Sequence, residues 1–179
     1  MSHRMPIAER LPPHVSVHAL RKDLPYIYQG STPSCTAAAL SMVLLYYKQH
    51  YGLKNCPRFL TIFEKIRSDR RFASYGRSIV LLKDVPKYAT EDIGLRAAIF
   101  TGSLTDIKKF TDKDIPVIVH ATMAEGGEHA LVITNVDAHY VYYKNSRSGD
   151  FREHRHEIES FLKYWETKHQ FVVVYPPEK

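Results

Sequence analysis

The pattern of hydrophobic and polar residues along the chain changes from helical spacing to strand-like alternation near residue 110. The longest helical pattern covers residues 34–50, where Ala37, Leu40 and Tyr47 mark the stripe that should be buried. Shorter helices are predicted at residues 57–69, 79–88 and 104–110. The first part of the chain is therefore expected to be mainly helical.

Alternating apolar runs dominate the second part of the chain. They predict strands at residues 115–120, 129–136, 140–144 and 171–175, with a helix at 157–168 before the last strand. Residues 11–28 contain several prolines, each of which disfavours helix at the preceding residue, so an extended arm is predicted there.

These elements predict an α+β fold in one domain that covers residues 1–179, a length at which a single core is the default. Within it we expect a loose arm at residues 1–10, a mainly helical half at 11–110 and a mainly β half at 111–179.

A cysteine lies at the start of the longest helical pattern. Thr32 is suited to cap this helix with its hydroxyl and Pro33 to occupy the first helical position, so Cys35 should fall in the first turn. The helix dipole and free backbone N–H groups there favour a thiolate, which makes Cys35 a candidate nucleophile. Gln29, six residues upstream, could aim its amide at the oxygen of a carbonyl attacked by the sulfur.

A candidate base lies in the second half of the chain. His129 follows the flexible turn 125–128 and begins an apolar run, and Asn145 follows the next run. Residues 137–139 read as a short hairpin loop, so the two runs should pair antiparallel and bring His129 beside Asn145. One ring nitrogen could then face the sulfur while the other donates to the Asn145 amide oxygen, as a Cys-His nucleophile requires.

These motifs resemble the papain and cathepsin family of cysteine peptidases. The family's Gln-Gly-Ser…Ser-Cys segment, its His-Ala at the start of a strand and its Lys-Asn-Ser are matched at residues 29–35, 129–130 and 144–146, with the same internal spacings. The lead-in from Leu11 to Gly30 is most similar to a compact branch found in microbes and large DNA viruses, whose members lack the usual prodomain. The likeness extends from Leu11 to Tyr175, although only the two motif regions are specific.

The resemblance implies a papain-like fold with an active-site cleft between the two halves. It also implies a thiol-dependent hydrolase of peptide or isopeptide bonds, with Cys35 as nucleophile, His129 as base and acid, and Asn145 as its orienter. Gln29 and the Cys35 backbone N–H would hold the oxyanion. No metal or organic cofactor is expected, and the partner would be a peptide or protein substrate.

Three positions differ from what is usual in the family. Thr36 replaces the Trp that usually follows the nucleophile, and Arg147 replaces the Trp that shields the His-Asn hydrogen bond from water. Thr32 stands where many relatives have a disulfide cysteine, which fits a protein made in a reducing compartment.

Composition is that of an ordinary globular chain, with 44% hydrophobic and 25% charged residues. No apolar run is long enough for a membrane span, and no secretory signal is recognisable. Cys35 and Cys56 are the only cysteines, so we expect no disulfide framework, a structural Cys56 and a cytoplasmic or otherwise intracellular location. The net charge of +6 is dispersed, so no nucleic-acid partner is expected, and a monomer is predicted.

Each candidate residue has an alternative interpretation. Cys35 could be a small core residue, Asn145 a turn residue and Gln29 an exposed one. His120 also ends a predicted strand and rivals His129 as the base, although no Asn follows it at the right distance. Residues 154–156, His-Arg-His, could suggest a metal site, but a solvated charged face is favoured because carboxylate or cysteine support is missing.

Three alternative functions remain open. The same site could transfer the acyl group to an amine instead of water, or the fold could serve as a binding module without turnover, which the two missing Trp residues would suit. The chain could instead resemble the leader-cleaving peptidase domains of bacterial exporters. Those domains usually place Asp-Pro after the second strand, so residues 144–146 argue against this third possibility.

Overall fold

The computed structural model describes residues 19–122, 128–147, 149, 152–165 and 168–178. The turn expected at 125–128, apart from its last residue, and the arm expected at 1–10 lie outside these ranges, as do residues 11–18. The helices are α1 (Ala19–Asp23), α2 (Cys35–Tyr51), α3 (Phe59–Ser68), α4 (Asp84–Tyr88, continued by a π-helical turn over Ala89–Ile93), α5 (Leu104–Thr111) and α6 (Ile158–Tyr164). The strands are β1 (Ala97–Thr101), β2 (Val117–Thr122), β3 (Glu128–Val136), β4 (Tyr140–Lys144), β5 (His154–Glu157) and β6 (Gln170–Val174).

The strands form one antiparallel sheet in the order β1-β6-β2-β3-β4-β5. Side chains alternate between its faces, so Ala130 and Val132 join the core beneath α2, whereas Leu131 and Ile133 join the core beneath α5 and α6. The predicted α+β fold, with a long helix packed on an antiparallel sheet, is confirmed. The division into halves is less clean than expected, because β1 comes from the first half and helices cover both faces of the sheet.

Three predicted segments differ from the structure, and two strands were not predicted. Part of the extended arm is the helix α1, and the helix expected at 79–88 begins only at Asp84, whose carboxylate accepts hydrogen bonds from the backbone N–H groups of Ala73 and Ser74. The helix expected at 157–168 stops at Tyr164, because Trp165 turns away to pair with Ala121. The sequence analysis missed β1 and β5, which are short strands at the two edges of the sheet.

The hairpin of β3 and β4 contains a β-bulge at Thr134. Near the loop Val136 pairs with Val141, and that register, if continued, would place Asn145 opposite Val132. Beyond the bulge Val132 pairs instead with Lys144, so Asn145 falls opposite Leu131. A shift of one residue moves a side chain to the other face of a sheet. The bulge therefore puts Asn145 on the face to which His129 belongs.

His120 in β2 lies between the sheet and α2 and is only 7% exposed. Its Nε2 is 3.0 Å from the Thr36 hydroxyl at the start of α2, and its Nδ1 is 3.3 Å from a carboxylate oxygen of Glu128 at the start of β3. Burial lowers the pKa of His120, and the nearby Glu128 carboxylate opposes this shift without cancelling it. The folded protein thus favours a neutral His120.

Deleting Thr134 should remove the bulge and turn Asn145 away from His129. The matched control is Thr134→Ala, which keeps the residue count and loses the side-chain hydrogen bonds to Glu153 and to the Tyr142 carbonyl, at a cost of about 1 to 3 kcal/mol in unfolding free energy. NMR of the histidine ring N–H groups would report the His129–Asn145 hydrogen bond, which we expect in the control and not in the deletion. A folded deletion variant that keeps this signal would contradict the bulge argument.

Stability should fall as the pH drops below about 6.5, the ordinary pKa of histidine, because the unfolded chain then binds a proton that folded His120 resists. Above that pH both states hold neutral His120 and the contribution is fully present. His120→Gln cannot titrate and should flatten this part of the profile. Denaturant unfolding at a series of pH values measures both proteins, and parallel profiles would show that His120 is not the group responsible.

Candidate active site

Cys35 is the first residue of α2 and is partly buried against the core beneath that helix. The predicted place of the thiol in the first helical turn is therefore correct. The predicted cap is wrong: Ser34 is the N-cap residue, without a side-chain capping hydrogen bond, and Thr32 and Pro33 precede the helix. The Ser34 N–H donates to the Thr32 carbonyl at 2.8 Å, which folds the segment into a turn ahead of the helix.

His129 and Asn145 meet as the hairpin predicts. The loop between their strands is residues 137–139, and the Asp137 carboxylate accepts the backbone N–H groups of His139 and Tyr140, which lowers the pKa of Asp137 to about 2. At the far end of the hairpin, His129 Nε2 hydrogen-bonds the Asn145 side-chain oxygen. His129 is 1% exposed and Asn145 is half-buried, so this contact is partly shielded from solvent.

The direction of this hydrogen bond follows from a third group. The Arg147 backbone N–H donates to the same Asn145 oxygen at 3.0 Å. Since a backbone N–H can only donate, the shared atom must be the amide oxygen and His129 Nε2 must carry a hydrogen. In the neutral ring Nδ1 is then the acceptor nitrogen, which is the form that a general base needs.

Gln29 is buried, not exposed, and its hydrogen bonds fix its orientation. The Ser146 hydroxyl donates to Gln29 Oε1 at 2.7 Å, and the Gln29 backbone N–H donates to the Ser146 carbonyl at 2.9 Å. The Gln29 amide nitrogen donates to the Thr32 carbonyl at 2.9 Å and carries a second N–H that can serve another acceptor. The turn ahead of Cys35 is thus tied to the loop that carries Asn145.

Ser146 is a residue whose role the sequence analysis missed. It is fully buried, and its hydroxyl donates to the Gln29 amide oxygen, while the Thr32 carbonyl, which can only accept, identifies the other end of the amide as the donor. The Lys-Asn-Ser segment at residues 144–146 includes Ser146, but the sequence analysis used that segment only to locate Asn145.

The two positions that lack the family's Trp have different surroundings. Arg147 is exposed, and its contribution to the Asn145 contact is the backbone hydrogen bond. Thr36 is 2% exposed and contacts both His120 and the Val80 carbonyl, so a polar contact takes the place of an indole there. Among the described residues His120 has no amide partner like that of His129; Thr36 and Glu128 contact it.

The His-Arg-His segment is not a fully solvated face. His154 and His156 stack on Tyr143 with ring centroids 5.7 and 5.6 Å away, and Tyr143 and His156 share a hydrogen bond of 2.8 Å. In the described part of the chain, no three His, Cys, Asp or Glu side chains are grouped as metal ligands would be. No described helix is long and apolar enough to cross a membrane.

Two solved structures share this fold. A protein from Bacillus anthracis described as a C39-like peptidase superposes with a TM-score of 0.68 and 16% identity, over 88% of this chain and 96% of that one. The peptidase domain of Streptococcus ComA, a bi-functional ABC transporter of a quorum-sensing pathway, gives a TM-score of 0.62 and 15% identity, over 86% of this chain and 99% of that one. Identities this low establish the fold alone. No curated protein matches the chain significantly in sequence.

Residues 21–172 match the sequence profile of the Peptidase_C39 like family, which covers both the Cys35 and the His129 segments. C39 peptidases are themselves papain-like, so the broad resemblance holds. The sequence analysis used residues 144–146 to argue against a likeness to the exporter-type peptidases, which usually have Asp where this chain has Asn145. The match to a C39-like family shows that this argument was too strong. This chain belongs to the Peptidase_C39 like family of papain-like cysteine peptidases.

Proposed function

We propose that the protein hydrolyses peptide or isopeptide bonds through a covalent acyl-enzyme on Cys35. The observation that carries the proposal is the hydrogen bond from Nε2 of the buried His129 to the Asn145 oxygen, whose direction leaves Nδ1 as the basic nitrogen. Membership of a cysteine peptidase family supports the same chemistry. The role of each residue follows from the group that it offers.

In the first half-reaction the Cys35 thiol gives its proton to His129 Nδ1, and the sulfur forms a bond to the carbonyl carbon. The carbonyl oxygen becomes an anion, which Gln29 and the Cys35 backbone N–H stabilise. The C–N bond then breaks, and the leaving amine takes the proton from His129. The product that remains on the protein is a thioester of Cys35.

In the second half-reaction His129 takes a proton from water, which attacks the thioester carbonyl. The C–S bond breaks, the acid product leaves and the proton returns to the sulfur, so the thiol and the neutral imidazole are restored. Asn145 keeps its hydrogen bond to Nε2 throughout, because Nε2 holds its hydrogen in every step.

The hydrogen bonds of Gln29 and of the turn that precedes α2 support its proposed oxyanion role. Its amide nitrogen donates to the Thr32 carbonyl, which can only accept, and its amide oxygen accepts from the Ser146 hydroxyl, so the nitrogen is held as the donor end. Gln29 and Cys35 are also joined by a short turn whose backbone hydrogen bond from Ser34 to Thr32 restrains their separation. A preorganised donor of this kind acts mainly on charge that develops in the transition state.

A peptide-library cleavage profile tests the proposal directly. The wild-type protein should cleave a subset of peptides, whereas Cys35→Ala and His129→Ala should cleave none. Asn145→Ala should retain a lower rate, because the orienter improves a base that still exists without it. Products that carry an added amine would identify acyl transfer, and uncleaved peptides with an unreactive Cys35 would identify a binding module.

Cys35 should react with iodoacetamide at about pH 6.5 much faster than Cys56. Burial raises the pKa of the Cys56 thiol, and the nearby Lys48 only partly opposes this, so Cys56 is the matched internal control. Mass spectrometry after timed alkylation measures both rates in one sample. Equal rates on the folded protein would contradict the nucleophile assignment.

Gln29→Ala should lower kcat by on the order of 10- to 1000-fold, with little change in KM when chemistry is slow. Gln29→Glu should be at least as damaging, because a carboxylate would face the developing negative charge. The pair is measured by steady-state kinetics on one cleaved peptide, with Cys35 alkylation as the control for the thiol. Wild-type kcat in both variants would show that the oxyanion is held by other donors.

A further inference from the structure

His120 connects the two segments that carry the proposed nucleophile and base, although it belongs to neither. Its Nε2 lies 3.0 Å from the hydroxyl of Thr36, the residue after Cys35, and its Nδ1 lies 3.3 Å from Glu128, the residue before His129. The ring thus spans the gap between the N-terminus of α2 and the start of β3. Both of its contacts are made one residue away from a proposed reacting group.

One arrangement of hydrogens satisfies both contacts with a neutral ring. Nδ1–H donates to the Glu128 carboxylate, and Nε2 accepts the hydrogen of the Thr36 hydroxyl. The Val80 carbonyl, 3.1 Å from the same hydroxyl, is the alternative acceptor of that hydrogen. When the hydroxyl turns to Val80, a ring with hydrogen on Nε2 can donate to the Thr36 oxygen, so the Thr36–His120 contact is kept either way.

The two ends of the link differ in strength because they differ in burial. Thr36 is 2% exposed and His120 7%, so a lost hydrogen bond between them would leave buried polar atoms without a partner. The Glu128 side chain is 49% exposed, so water can replace much of that contact. Thr36 is therefore expected to matter more than Glu128.

Other roles for His120 fit the structure less well. The Thr36 hydroxyl is buried in the first turn of α2 and shared with Val80, so it is not placed to act as a second nucleophile. Unlike His129, His120 is also not oriented by any side-chain amide within the part of the chain that the structure describes. The two contacts of His120 instead hold it between the start of α2 and the start of β3.

We propose that His120 is a positioning residue, which sets the distance between Cys35 and His129 by holding Thr36 on α2 and Glu128 on β3. Proton transfer between sulfur and nitrogen needs a heavy-atom separation close to hydrogen-bonding distance, and an error near 1 Å can cost about 100-fold in rate. Because Thr36 and Cys35 belong to one rigid helical turn, a displacement of Thr36 is passed on to the sulfur. The inference rests on the proposed function, since it assigns the pairing of Cys35 with His129.

The test measures Cys35 alkylation, which needs no substrate. In a Cys56→Ser background, only Cys35 remains to react with iodoacetamide. Loss of the pairing with His129 should slow the reaction at about pH 6.5, where a thiolate depends on the base, and leave it unchanged at about pH 9, where the base is no longer needed. A general loosening of the structure would instead raise both rates, because it exposes the thiol.

We expect His120→Ala to lower the rate at about pH 6.5 on the order of tenfold. Thr36→Val, which keeps the shape and removes the hydroxyl, should lower it several-fold, and Glu128→Gln less. His120→Gln places an amide near the former Nε2 and should recover most of the loss through Thr36. Adding Thr36→Val to His120→Ala should have no further effect, since both remove the same contact.

His50→Gln is the matched control, because His50 lies near the opposite end of α2, 3.5 Å from the Asp23 carboxylate. It can alter stability but should leave the alkylation rates as in the wild type. Folded His120→Ala with wild-type rates at both pH values, or additive effects of Thr36→Val and His120→Ala, would overturn the proposal. If His120→Ala does not fold, His120→Gln and Thr36→Val decide the question by the same rates.

The failure of this inference can be told apart from the failure of the proposed function. Peptide cleavage by the wild type together with unchanged alkylation in the His120 and Thr36 variants overturns the positioning role alone. No cleavage of any peptide, together with alkylation at Cys35 that depends on His120, supports the positioning role and overturns the peptidase activity.

Discussion

The pairing of β3 with β4, interrupted by one extra residue at Thr134, decides which side chains can meet at the candidate site. An uninterrupted hairpin with the same loop would direct Asn145 to the other face of the sheet from His129 and leave His129 without its partner. The bulge is costly by itself because it breaks the ladder of backbone hydrogen bonds. It persists because surrounding groups hold it.

Those groups come from distant parts of the chain. The Thr134 hydroxyl, 1% exposed, donates to Glu153 at 2.7 Å, and Glu153 is in turn bound by Arg21 of α1 at 2.8 Å. The Arg21 guanidinium also lies over the Tyr142 ring, 3.8 Å from its centre. The short helix α1 therefore supports the register of β3 with β4. Through that register it also supports the orientation of the His129 imidazole.

The parts of the site that sequence could predict are those set by local rules. A helix start within a few residues of Cys35 and a three-residue hairpin loop at 137–139 follow from nearby residues, and they placed Cys35 in a first turn and His129 beside Asn145, although the cap assigned to Thr32 was wrong. The bulge could not be predicted, because Thr134 carries none of the usual Gly or Pro signals. The contacts of Gln29 with Ser146 and of Thr36 with His120 were also out of reach, since they join residues that only the folded sheet brings together. Short edge strands such as β5 were not predicted, because they form by pairing with one neighbouring strand and their own sequence has no clear apolar alternation.

The long sequence separation between the thiol and its partners has a consequence for the growing chain on the ribosome. Helix α2 and Gln29 are synthesised well before His129, Asn145 and Ser146, and translation at about 5 to 20 residues per second puts roughly 5 to 20 s between Cys35 and Asn145. During that interval the nascent polypeptide has the thiol but not the histidine and asparagine proposed as its base and orienter. The proposed site can therefore form only after the segment that carries Asn145 and Ser146 has been synthesised.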